Sequence, residues 1–231
     1  MIRDKENFLF AEWKSKVARD SEAVFVADGI VNEEVWYETK TKVLYLLKEV
    51  NGGDQEWDER DYLLKYNSNL DYIKTHSPTI NVLTQWQYGM NYGTDRTWLE
   101  VEKDTSDWNV QSELLSQICL VNIKKTAGGS VVDWSKFDPY FKNMENRNYL
   151  EKQLSLYNPN VVICGGTAWL LCEIKGWKYS EWNRTSKGVQ YYIDSGVVYI
   201  DFCHPNIRAP KNFLYYALVD AWKEITETIH K

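Results

Sequence analysis

Three stretches of this sequence place a polar side chain within or directly after an apolar run, two of them beside glycine or proline. In that setting a side chain can be offered to a ligand instead of the core. The first is Glu49-Val50-Asn51-Gly52-Gly53. Two glycines let the backbone turn sharply and approach a ligand closely, and Asn51 there can hold a water or a base edge. The same residues also make an Asx-type turn that merely stops a strand. The second stretch is Leu120-Val121-Asn122-Ile123-Lys124-Lys125. An amide in an apolar strand must satisfy its hydrogen bonds from neighbouring backbone or from a pocket. The donor pair and acceptor of Asn122 suit a pyrimidine edge, and Lys124 and Lys125 are candidates for phosphate contact; a solvated loop with an edge Asn competes with this. The third stretch is Cys203-His204-Pro205-Asn206-Ile207-Arg208-Ala209-Pro210. Its two prolines stiffen a loop from which His204 can donate a hydrogen bond to a developing oxyanion. A purely structural histidine is the alternative.

These residues need elements to position them. Val43–Val50, Gln117–Ile123 and Val161–Cys164 are short apolar runs that read as buried strands. Helices are expected over Glu6–Arg19, Arg60–Ile73, Ile80–Met90 and Met144–Tyr157, the last stopped by Asn158-Pro159. Gly165-Gly166-Thr167 opens a further helix to about Ile174, with Thr167 as its N-cap. Gln190–Asp194 and Val197–Phe202 flank the turn Ser195-Gly196 and read as a hairpin. The last helix, Asn212–His230, puts Leu214, Leu218, Ala221, Trp222, Ile225 and Ile229 on one face. Apolar strands alternating with helices predict an α/β three-layer sandwich, a mainly parallel central sheet flanked by helices. In such folds ligands bind beyond the carboxyl ends of the strands, where all three polar stretches fall.

Composition narrows the class. A hydrophobic share of 44% and an aromatic share of 15% supply a sizeable core, and no apolar run is long enough to span a bilayer. The N-terminus lacks the apolar segment of a signal peptide, so a cytoplasmic protein without a membrane role is expected. Cys119, Cys164, Cys172 and Cys203 form no CxxC pair and read as buried free thiols. Neither a metal nor a cofactor is indicated, and no protein partner is predicted. A net charge of −6 argues against a strong sequence-independent grip on nucleic acid. The acidic run Asp54–Asp61 reads as a solvated helix start, metal binding being the lesser alternative.

Taken in order, EVNGG, LVNIKK, NPNVVICGGTAWLL and HPNIRAP resemble the motifs of the uracil-DNA glycosylase superfamily. The resemblance covers about residues 43 to 225 and is nearest to the single-strand-selective and mismatch-specific type with Asn in the first motif. It implies one glycosylase-like domain over residues 1–231, with a helical N-terminal extension over 1–40. It further implies hydrolysis of the N-glycosidic bond of uracil or another deaminated base in single-stranded or mismatched DNA, bound with modest affinity. Asn51 would orient the water, Asn122 read the base and His204 stabilise charge on the leaving base. Gly52, Gly53, Trp57, Lys124, Asn206 and Arg208 would contact the substrate. Tyr62, Trp86, Tyr88 and Tyr92 join Trp57 as candidates to stack the base. The sequence departs from the family where Gly52 replaces a proline and Glu49 a glycine, which makes Glu49 a rival for activating the water. A relative that binds a nucleobase, nucleoside or nucleic acid without cleaving it, or with a shifted substrate, is the alternative.

Overall fold

A computed structural model of the chain describes residues 1–17, 24–52, 55–65 and 78–229. The first part runs α1 (Ile2–Val17), β1 (Val26–Ala27), β2 (Gly29–Ile30), α2 (Glu33–Glu38), β3 (Val43–Asn51), β4 (Trp57–Asp58) and α3 (Glu59–Lys65). Next come α4 (Pro78–Tyr92), α5 (Trp98–Ser106), α6 (Trp108–Ser116), β5 (Cys119–Gly128), α7 (Trp134–Lys142) and α8 (Met144–Leu154). The chain closes with β6 (Val161–Gly165), α9 (Ala168–Lys175), β7 (Asn183–Arg184), β8 (Gln190–Asp194), β9 (Val197–Phe202) and α10 (Lys211–Ile229). The seven-stranded sheet has the order β2-β5-β3-β6-β9-β8-β7. Its four central strands are parallel, and β2, β8 and β7 add antiparallel edges. The three-layer α/β sandwich expected from the apolar strands is the fold observed.

Period-two alternation sorts the strand residues onto two faces. Leu44, Leu46, Val121, Ile123, Val162 and Cys164 enter one cluster with Trp13, Trp36, Phe137, Leu150 and Leu171. Val43, Tyr45, Leu47, Leu120, Val161 and Ile163 enter the other with Leu63, Leu83, Trp86, Leu115 and Leu218. Every central strand is thus apolar on both sides, and side chains at its carboxyl end are the first free to meet a ligand. The β8–β9 hairpin turns through Ser195 and Gly196, both at positive φ (50° and 82°), as a two-residue primed turn requires. Cys119, Cys164 and Cys172 are buried, Cys203 is half-buried, and all four are free thiols. Among the described residues no helix is long and apolar enough to cross a membrane.

Several expectations shift. Residues 1–40 are not a purely helical extension, because β2 forms the sheet edge beside β5. The strand expected to stop at Ile123 continues to Gly128, carrying Lys124 and Lys125 into the interior, where each finds a carboxylate. Thr167 sits at the N-cap of α9 but does not cap it: its hydroxyl donates to the Leu46 carbonyl at 2.8 Å, tying β6 to β3. The helix expected over Arg60–Ile73 is α3 as far as Lys65, and its remainder lies outside the described residues.

The acidic run does open a helix, α3, but it is solvated only in part, and its described acids other than Glu59 are paired with cations. Glu56 pairs with Lys14 at 2.6 Å, Asp58 with Arg60 at 2.6 Å, and Asp61 with Arg3. Arg60 is buried and its guanidinium reaches Glu6, at 2.5 Å, which has no exposed side-chain surface. Burial pushes the Glu6 carboxyl up in pKa, against the pull of Arg60. Removing one member of such a pair strands the other as a buried charge. Arg60→Met is therefore expected to cost about 3–5 kcal/mol in urea denaturation at neutral pH. A loss below about 1 kcal/mol would place the pair with solvent-exposed bridges instead.

Candidate functional site

One cleft of about 1050 Å³ opens at the carboxyl ends of the parallel strands. Asn51, Gly52, Trp57, Asn122, His204 and Asn206 all line it, together with Lys48, Glu49, Glu59 and Tyr62. Three strands therefore deliver the residues singled out by sequence to one place. Gly53 lies outside the described residues. Lys124 and Arg208 are not on the lining: Arg208 is exposed on the same loop as His204, and Lys124 is buried.

Parallel pairing sets the local geometry. Leu47 lies opposite Asn122, Glu49 opposite Lys124, and after a register shift Asn51 lies opposite Gly128. The Lys124 ammonium donates to Glu49 Oε2 at 2.5 Å, an adjacent-strand charge pair of the kind that stabilises a ladder. Gly128 makes this possible, since a Cβ there would fall 2.3 Å from the Glu49 carboxyl carbon. Glu49 Oε1 is buried and has no hydrogen-bond partner among the described residues. Phosphate contact by Lys124 and Lys125 is corrected accordingly: Lys124 is spent on Glu49, and Lys125 is fully buried against Asp28.

Asp28 also fixes Asn122. Its Oδ2 accepts the Asn122 backbone N–H at 2.7 Å and the side-chain Nδ2 at 3.3 Å. One amide N–H and the carbonyl oxygen of Asn122 are left for a ligand. His204 is set by its own loop. Its Nδ1 accepts the Asn206 backbone N–H at 3.1 Å, so the neutral ring carries its proton on Nε2. Burial, with the neighbouring Lys48 charge, holds the His204 pKa below its ordinary value and the ring neutral at pH 7. Lys48 is itself lowered by burial, while Asp201 holds its proton. Lys48 carries no local signal of a site in the sequence, because it sits among strand residues without a turn beside it.

The outer edge of the Trp57 indole abuts the first motif: a Cβ on Gly52 would come within 1.8 Å of its Cη2. Its indole N–H donates to Glu59 Oε2 at 2.7 Å. Trp57 and Tyr62 thus remain as stacking surfaces on the cleft. Trp86 and Tyr88 are core residues, 1% and 3% exposed, and Tyr92 lies away from the lining. Among the described residues no group of His, Cys, Asp and Glu is arranged to hold a metal ion.

Glu59 was hidden in the acidic run. It is 9% exposed, and its pKa is pushed up to about 7, first by burial and then by the Asp28 and Asp58 charges, against the Trp57 hydrogen bond. A carboxyl raised from 4.5 to about 7 on folding gives stability that is complete below pH 4.5 and lost as pH rises through 7. Glu59→Gln, which never ionises, is expected to match the wild type near pH 5. It should exceed it near pH 8, by at most about 3 kcal/mol; equal denaturation midpoints at both pH values would exclude the raised pKa. Compared with protein-family models and with curated proteins, the chain matches none, so its functional reading rests on the geometry of this cleft.

Proposed function

We propose that the cleft hydrolyses the N-glycosidic bond of uracil or another deaminated base in DNA. The observation that carries this reading is the convergence of Asn51, Asn122 and His204 on one cleft, with the His204 ring fixed as an Nε2–H donor. Breaking such a bond leaves negative charge on the base and positive charge on the sugar. A preorganised neutral donor aimed at the base oxygen lowers that barrier, and the Lys48 ammonium adds a second positive influence. Asn122, held by Asp28, presents one N–H and its carbonyl to the base edge. Water then adds to C1′. Asn51 orients it, and the unpartnered Glu49 oxygen supports a share of that task, since it can accept the proton the water loses.

The burial of Lys124 and Lys125 favours a second reading, in which the same chemistry acts on a free nucleoside. Phosphate neutralisation supplies most affinity for nucleic acid, and these two cations are spent internally. A gel assay with single- and double-stranded oligonucleotides carrying uracil, hypoxanthine or xanthine, run beside the free deoxynucleosides, separates the two. Alkali-sensitive abasic product is expected from DNA, with Asn51→Ala and His204→Ala each slower by about 10²–10³-fold. Cleavage of deoxynucleosides alone would establish the second reading. No cleavage of either by folded protein would reject both.

A further inference from the structure

Glu59 is set apart from the other acids around it. Glu56, Asp58 and Asp61 are each matched to a cation, whereas the one hydrogen bond found to the Glu59 side chain among the described residues comes from the Trp57 indole. That bond occupies Oε2 and leaves Oε1 to carry a proton. The charged groups acting on it are both negative: Asp28, from the turn between β1 and β2, and Asp58, from β4. The neighbouring Arg60 guanidinium is committed to Glu6, Asn7 and Asp58. On the cleft lining Glu59 shares the wall with Glu49, whose Oε2 accepts from the Lys124 ammonium and whose Oε1 has no hydrogen-bond partner among the described residues. Paired carboxyls whose surroundings differ in this way divide the roles of acid and base.

We propose that Glu59 is the proton donor of this cleft and that the base it serves is a deaminated purine. This rests on the glycosyl-hydrolase reading above and names its substrate class. Glycosylated uracil offers carbonyl oxygens and one N–H but no ring nitrogen with a free lone pair. A 6-oxopurine joined through N9 offers N7. In the step, the Glu59 proton passes to N7, the C1′–N9 bond breaks with its electron pair going to the ring, and the base leaves neutral. The water oxygen bonds to C1′ and its proton passes to Glu49. Exchange with solvent then returns one proton to Glu59 and removes one from Glu49. His204 and Lys48 stabilise the carbonyl side of the same base. The cleft volume of about 1050 Å³ accommodates a bicyclic base.

The test is single-turnover excision of hypoxanthine and of uracil from otherwise identical oligonucleotides, followed from about pH 5.5 to 9. Hypoxanthine should leave at least about tenfold faster than uracil near pH 6.5, with a rate that falls about tenfold per pH unit above neutrality. Glu59→Gln keeps an acceptor for the Trp57 indole. It should slow hypoxanthine release by more than about 100-fold and flatten the alkaline limb. Faster release of uracil, or an unchanged limb in Glu59→Gln, would overturn the assignment. If no base is excised, the hydrolase reading fails by itself, and binding of free hypoxanthine, read by tryptophan fluorescence, decides the role of Glu59. Affinity about tenfold tighter near pH 6 than near pH 8, with the difference lost in Glu59→Gln, supports the proton donor; affinity independent of pH rejects it.

Discussion

The Asp28 carboxylate is fully buried, and three side chains and a backbone N–H depend on it. Lys125 donates to Oδ1, Gln153 donates to the same oxygen at 2.9 Å, and Asn122 reaches Oδ2 through both its backbone and its amide. A buried carboxylate is tolerated only when its lone pairs are used in this way. The consequences spread outward. Lys125 can sit inside the sheet, so β5 continues past the point where two lysines would ordinarily end a buried strand. Asn122 is locked into one orientation toward the cleft. The Asp28 charge also acts on Glu59 and helps keep that carboxyl protonated near neutrality. A single acid between two short strands thus influences the length of β5, the orientation of one cleft amide and the protonation of one cleft carboxyl. The network continues through Gln153 to Tyr157 and Glu6, and from Glu6 to Arg60 and Asp58. Glu6 and Asp28 are thereby tied, from behind the lining, to Asn122 and to the acidic segment that carries Glu59.

This arrangement bears on how a chain of net charge −6 could handle DNA. Among the described residues lining the cleft, Lys48 supplies the ammonium, and exposed Arg208 stands on the His204 loop. Under the proposed reading, binding energy must come from the base itself, through stacking on Trp57 or Tyr62 and hydrogen bonds at Asn122 and His204, and less from phosphates. Such a site is best served by a base that is cheap to extrude. Single-stranded and mismatched DNA meet that condition because little pairing and stacking is lost.

The strands and the three-layer order were legible because Val43–Leu47, Leu120–Ile123 and Val161–Cys164 are apolar on both faces, a pattern that only a covered parallel sheet explains. The meeting of Asn51, Asn122 and His204 was legible because ligand crevices form at the carboxyl ends of parallel strands. What escaped was everything set by long-range pairing of charge. Nothing local distinguishes Glu59 from Glu56, yet on the same lining one is buried without a cation and the other is exposed and paired with Lys14. Lys124 and Lys125 looked like surface cations because their partners, Glu49 and Asp28, lie 75 and 97 residues away in sequence. The helix α5 did carry a local sign, the capping box formed by Thr97 and Glu100, but its sequence contributes nothing to the cleft.

Local rules are broken most sharply where the cleft is. Four buried side-chain atoms among the described residues lack a hydrogen-bond partner, and three of these belong to neutral groups of Asn81, Gln153 and Trp182. The fourth, Glu49 Oε1, is the one carboxylate oxygen, for which an unmade hydrogen bond is most costly. Beside it stand Glu59, exposed to like charges, and Lys48, partly stripped of water. A fold optimised for stability alone would replace each with an apolar or amide residue of similar size. Their concentration on one lining, next to a histidine held neutral, is what a site looks like when ligand and water must complete its hydrogen bonds. Under the proposed reading, a substrate that supplies the missing donors offsets that cost. Binding and proton transfer, as proposed for this cleft, would then draw on a cost the fold has already borne.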